Sequence, residues 1–229
     1  MYTQEGDFLT CMRRIQEQKN VIVSHFIVSG LKEKEAHNAL WHAWRGQQKT
    51  MDLFVKVDAD TVLATENTLS QLWSLFAAEP RLTSVQAPLH DYMTDGFING
   101  LNAFSPKVIF NDTQDELYCD RVDTGHDLRI QSGEVPEYLK PAGYHCHHAN
   151  ERQAFHYGVH RSLKGQHEVM GRVYKAYQRD KDRIRAFALL GSAVADRFAQ
   201  NRKFNYSDDE FKQAFDEAVQ TYDDTVRSL

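Results

Sequence analysis

At 229 residues, 41% hydrophobic and 26% charged, the chain has the make-up of a one-domain globular protein with room for a helical extension. Its thirteen Phe, ten Tyr and three Trp supply core surface at roughly 1.5–3 kcal/mol per buried side chain, and three Cys without a CxxC pair exclude a disulfide framework and point to the reducing cytoplasm. A net charge of −5 gives no overall attraction to nucleic acid, and the absence of a leader-like start or a long apolar run excludes a transmembrane segment while leaving peripheral membrane association open.

In chain order, Phe8 to Gln18 predicts a short helix, and the β-branched run Val21 to Val23 with His25 to Val28 predicts strand. Ala36, Ala39, Leu40, Ala43 and Trp44 share one helical stripe ending at Gly46. Leu53 to Val57 reads as a buried strand running into Asp58. A helix follows, with Thr65 as its cap, Leu69, Leu72, Trp73 and Phe76 facing inward and Pro80 past its end. From about Gln153 onward the pattern is helical. Phe187, Leu190, Gly191, Val194 and Phe198 form one stripe, Phe211, Ala214, Phe215, Ala218 and Tyr222 another, the latter behind a Ser207/Glu210 capping box. Alternating strands and helices predict an α/β sheet with helices on its faces, followed by a helical C-terminal extension.

The stretch that carries chemistry is Val57-Asp58-Ala59-Asp60-Thr61-Val62-Leu63. On extended chain, residues two apart point to one side, so Asp58 and Asp60 are expected to address a common ligand at the carboxyl end of a strand, where open α/β sheets bind ligands. Two neighbouring carboxylates repel, and a hard divalent cation, Mn2+ or Mg2+, relieves that repulsion while leaving positions for substrate phosphates.

Here the sequence resembles the GT-A glycosyltransferases, particularly the family-2-like group, whose hallmark is an Asp-x-Asp at the end of an internal strand followed by a helix. The segment Lys34 to Leu40 is similar to the Ala-x-Asn helix preceding that strand in the family, with Asn38 as its Asn. The resemblance covers roughly residues 2 to 163. It implies a Rossmann-like mixed sheet of the nucleotide-diphospho-sugar transferase kind over 1–165, with 166–229 as a helical extension packed on the same domain. It also implies Asp60 on the metal, Asp58 on the donor ribose or the metal, Asn38 near the donor, and Thr3 on the nucleotide base, although almost no strand precedes Thr3.

Several GT-A enzymes complete the metal site with a downstream histidine. The run Gly143-Tyr144-His145-Cys146-His147-His148 is the natural source, with His148 favoured over His147 and His145. A zinc site on Cys146 is the rival reading, but no second ligand pair at structural-zinc spacing accompanies it. Arg161 and Lys164 are placed to neutralise a diphosphate. In inverting members of the family a carboxylate beyond the Asp-x-Asp acts as base. Asp115, Glu116, Asp120 and Asp123 are the candidates here, Asp120 or Asp123 preferred.

The resulting expectation is a glycosyltransferase that moves a sugar from a UDP-, GDP- or dTDP-sugar donor to a glycan or other hydroxyl acceptor with inversion. A Mg-dependent nucleotidyltransferase would need a Gly-rich phosphate loop that is not visible. A non-catalytic binding module of GT-A shape would have no physical need for two repelling acids.

Overall fold

The computed structural model describes residues 6–120, 122–200, 206 and 208–227. The chain forms two compact units, one of Met1–Tyr92 with Gly96–His148 and one of Met93–Asp95 with Ala149–Leu229.

The first unit is α/β, as expected. Helix α1 (Phe8–Gln16) turns Cys11 and Ile15 inward, and α2 (Glu33–Gln47) opens with Glu33 and Glu35 and closes with Arg45, charges that complement its dipole. Strands β1 (Phe54–Lys56) and β2 (Thr61–Leu63) flank the Asp-x-Asp. Helix α3 (Thr68–Ala78) leads into the long strand β3 (Leu82–Asp91), which returns as β4 (Gly96–Phe104). Then come β5 (Ile109–Phe110), β6 (Asp123–Thr124), β7 (Leu128–Ile130) and β8 (Gly143–His145).

The main sheet is mixed, in the order β1-β4-β3-β8-β2, with β7 also on β3. Antiparallel pairing joins β1 to β4 and β3 to β4. The other edge of β3 takes two parallel partners, β7 near its start and β8 at its end, and β2 closes antiparallel on β8. A register shift between Ala87 and Pro88 interrupts the β3–β4 ladder where proline offers no N–H to it. Helices α1 and α3 cover this sheet, packing Cys11, Ile15 and Leu72 with Leu63, Leu82, Leu89 and Leu101. A second cluster joins α2 to the sheet through aromatic rings. Trp41 stacks on Phe110 at 4.4 Å, Trp44 on Phe54 at 5.2 Å, and Phe104 meets Phe110 edge-on.

The structure departs from the expected elements in four places. Residues 21–31 form no strand, and Ile22, Phe26, Ile27 and Leu31 are exposed: β-branched content alone cannot make a strand without an edge to pair with. Trp73 lies on the exposed side of α3, since Leu72 takes the central buried position. Helix α3 begins after Asn67, and Thr65 instead braces the preceding turn, its Oγ1 accepting from the Asn67 N–H. Trp41, outside the expected stripe of α2, is buried more deeply than Trp44. Ser207, half of the expected capping box, and Thr3 lie outside the described residues.

The second unit is helical: α4 (Glu151–Leu163), α5 (His167–Asp180), α6 (Arg183–Ala193), a 3-10 turn at Ala195–Phe198, and α7 (Asp209–Arg227). Asn150 and Asp182 cap α4 and α6 by accepting from the N–H groups of Gln153 and Arg185. Gly158 and Gly191 let α4 and α6 cross closely, because a Cβ at either would strike a backbone carbonyl of the other helix. The aromatic stripe of α7 is core, with Phe211 against Phe155 and Phe215 against Phe187. Among the described residues no helix is long and apolar enough to cross a membrane.

Candidate metal centre

The local backbone decides where the two acids go. The Thr61 N–H donates to Asp58 O at 3.0 Å, so residues 58–61 form a turn between β1 and β2 rather than extended chain. Contrary to the expectation of a common ligand side, the two carboxylates take different partners. Asp58, its side chain 55% exposed, accepts from Lys56 Nζ at 2.7 Å. Partial desolvation in the turn would push the Asp58 carboxyl up, but the Lys56 ammonium and its hydrogen bond outweigh this, aided by His37 and His145, and hold it well below the usual carboxylate range. Lys56 responds in kind: burial disfavours its charge, yet Asp58 keeps its pKa above the ordinary value.

Asp60 turns toward β8. Register explains what it meets there, because β8 runs between β3 and β2 and sets His145 opposite both Asp91 and Thr61. Residues opposite one another on neighbouring strands share a face of the sheet, so the Asp91 and His145 side chains are in reach. His145 Nδ1 donates to Asp91 Oδ1 at 2.7 Å, and Asp91 is fully buried. The other ring nitrogen, Nε2, lies 3.4 Å from Asp60 Oδ2. Cys146 completes the group. Its N–H donates to Asp60 O at 2.9 Å, its thiol donates to Asp60 Oδ2 at 3.4 Å, and Sγ is 3.7 Å from His145 Nε2. The backbone at Cys146 is left-handed, with φ of 54°. Such a conformation costs a residue with a Cβ of order 1–3 kcal/mol and gathers at functional sites. Beneath the turn, Cys11 Sγ donates to Asp58 O at 3.8 Å, and burial together with Asp60 and Asp58 pushes its thiol up to about 12.

Asp60, His145 and Cys146 each offer a ligand atom, all within 4.8 Å of one another. A carboxylate–imidazole pair of this kind, with the far ring nitrogen held by a buried acid, is the arrangement that orients a metal-binding histidine. With Nδ1–H committed to Asp91, a neutral ring turns its Nε2 lone pair toward the Asp60 oxygen. A cation between them removes that conflict, so the donor set fits a divalent metal.

The other expected site residues are distributed differently. His148 pairs with Asp7, its Nδ1 donating to Oδ1 at 2.7 Å and its N–H to Oδ2 at 2.9 Å, while its ring is largely exposed beside His147. Asn38 uses both ends of its amide to hold Thr113, accepting from its N–H at 2.8 Å and donating to its carbonyl at 3.2 Å. Asp123 accepts from His126 Nε2 at 2.8 Å and lies 3.4 Å from Arg129. Asp120 is exposed, and its charge reaches both Lys56 and His37. Arg161 and Lys164 belong to the second unit, where Arg161 donates to Gln166 Oε1 at 2.9 Å and lies over the Tyr157 ring, and Lys164 ends α4.

Asp91 and Lys56 escaped the sequence reading. Asp91 carries no local signal because its partner is 54 positions away. Lys56 had one, a lone cation at i−2 from Asp58 on an otherwise apolar strand. Comparison with family models, curated proteins and solved structures finds no significant match to this chain.

Proposed function

We propose that this chain is a metal-dependent glycosyltransferase of the GT-A type that moves a sugar from a nucleoside-diphosphate sugar to an acceptor hydroxyl. The observation that carries the reading is the Asp60–His145 contact at the Asp-x-Asp turn, with His145 braced by the buried Asp91. Asp60 and His145 would hold the cation, with the Cys146 thiol staying protonated on Asp60 Oδ2 and off the metal, and His145 would take the part expected of His148. When bound there, Mn2+ or Mg2+ supplies positive charge to the departing diphosphate.

Asp58, exposed and ionised beside Lys56, faces the donor, and Lys56 adds a second positive charge at the same turn. Asp120 is the acceptor's base in preference to Asp123, whose carboxylate is engaged by His126 and Arg129. As the acceptor oxygen bonds to the anomeric carbon, the bond from that carbon to the diphosphate breaks and the acceptor proton passes to Asp120, with inversion.

Calorimetric titration of UDP, GDP and dTDP with and without Mn2+ tests the reading. Asp60→Ala and His145→Ala should abolish the metal-dependent binding and His148→Ala should retain it. Equal binding by all three variants would reject the assignment.

A further inference from the structure

A second group of side chains able to hold a metal gathers at α2, apart from Asp60. Glu33 and His37 stand four residues apart in the first turns of this helix, so they project from one face. Cys119, 1% exposed, reaches the same place from the loop between β5 and β6. A carboxylate oxygen of Glu33, a ring nitrogen of His37 and the Cys119 sulfur all lie within 4.8 Å of one another. His37 Nδ1 donates to the Glu33 carbonyl at 2.9 Å, an arrangement that fixes the ring and leaves Nε2 as the metal-binding nitrogen.

The loop is already fastened to the helix along its length. Arg45 and His42 bond Asp112, Asn38 clasps Thr113 at both ends of its amide, and Lys34 pairs with Glu116 at 2.7 Å. Asp115 then shapes the turn before Cys119, its Oδ1 accepting from the N–H groups of Leu117 and Tyr118. The cysteine is therefore delivered to the helix by a chain of polar contacts that does not itself need a metal.

We infer that Glu33, His37 and Cys119 form a zinc site that clamps the 111–120 loop to α2, with a fourth position left to water. The donor types decide the ion. Sulfur, nitrogen and one carboxylate oxygen suit Zn2+ in a tetrahedral shell, whereas Mg2+ takes oxygen ligands. On binding, the Cys119 thiol loses its proton to solvent and its hydrogen bond to Asp115 O, now 3.1 Å, to become a thiolate ligand. Because Asp120 follows Cys119 directly, the clamp also fixes the segment carrying that carboxylate. The site stands on its own residues and does not depend on sugar transfer.

The test is zinc competition against a chromophoric chelator on the full chain, followed by substitution with Co2+ to read thiolate ligation in the near-ultraviolet. Zinc affinity should fall at least about tenfold in Cys119→Ser, His37→Gln and Glu33→Gln. The cobalt–thiolate band should vanish in Cys119→Ser and persist in Cys146→Ser. Glu33→Gln guards against misfolding, since it preserves shape on a helix surface. Absence of zinc binding by the parent chain, unchanged affinity in folded Glu33→Gln, or loss of the cobalt band in Cys146→Ser alone would overturn the inference.

Discussion

Replacing Asp91 by Asn separates a bracing role from mere core packing. The exchange keeps the shape of a fully buried side chain and removes its charge, 2.7 Å from His145 Nδ1. A charge-assisted hydrogen bond is worth roughly 1.5–3 kcal/mol and a neutral one about 1 kcal/mol, so about 0.5–2 kcal/mol of ring orientation is lost. The amide can also turn its NH2 toward Nδ1, which reverses the tautomer and puts the proton on the nitrogen meant for the metal. Both effects act on metal binding, and together they predict affinity weakened about 10- to 100-fold. The metal-free fold should change little, since the substitution also relieves the desolvation of a buried carboxylate. Mn2+ affinity from electron paramagnetic resonance of the free ion, set beside thermal melting in chelator, reads the two quantities separately. Unchanged Mn2+ affinity in a folded Asp91→Asn protein would refute the bracing argument, as would a lowered melting temperature with affinity intact.

Two further predictions concern the helical unit. Gly158→Ala and Gly191→Ala each drive a Cβ into a carbonyl oxygen, of Ala188 and of Phe155 respectively. Each should destabilise the unit by roughly 3 kcal/mol or more, read as a lower melting temperature by circular dichroism, and a neutral result for both would contradict the close crossing of α4 and α6. Burial, with Lys164 and Arg152 behind it, pushes His156 down to about 3 from the ordinary 6.5. The unfolded chain thus takes up a proton near pH 6.5 that the folded unit refuses until about pH 3, so stability falls as pH drops through that window, by at most about 1.4 kcal/mol per unit. His156→Phe, which keeps a ring on Tyr206, should flatten the decline in urea-unfolding experiments between pH 6.5 and 4, and an unaltered slope would show that His156 titrates alike in both states.

Much of the helical framework was legible in the residues. The stripe of α7 needed only a period of 3.6 and aromatic residues to bury, and that of α6 held as far as Ala193, beyond which Phe198 is buried from a 3-10 turn, whereas the two acids after β1, expected on extended chain, lie in a turn. Where a reading depended on one residue's own preference it failed: Val21 to Val28 has strand composition but no partner edge, and Trp73 is apolar yet faces away from a core already filled by Leu72. The three-histidine run confined the expected metal ligand to a short segment and favoured His148, which the structure pairs with Asp7 instead. On a strand, alternate residues face opposite ways, and only pairing with β3 and β2 establishes that His145 faces Asp91 and Asp60.

By itself, then, the sequence determined the α/β class and the helical C-terminal third, because these follow from periodicity and short-range sterics that act within a few residues. Tertiary structure alone decided that Asp58 joins Lys56 while Asp60 joins His145 and Cys146, that Asp91 braces the histidine, and that Cys119 meets Glu33 and His37. Those partners lie tens of residues apart, and sheet register and loop closure, which bring them together, depend on the packing of the whole unit rather than on any local pattern.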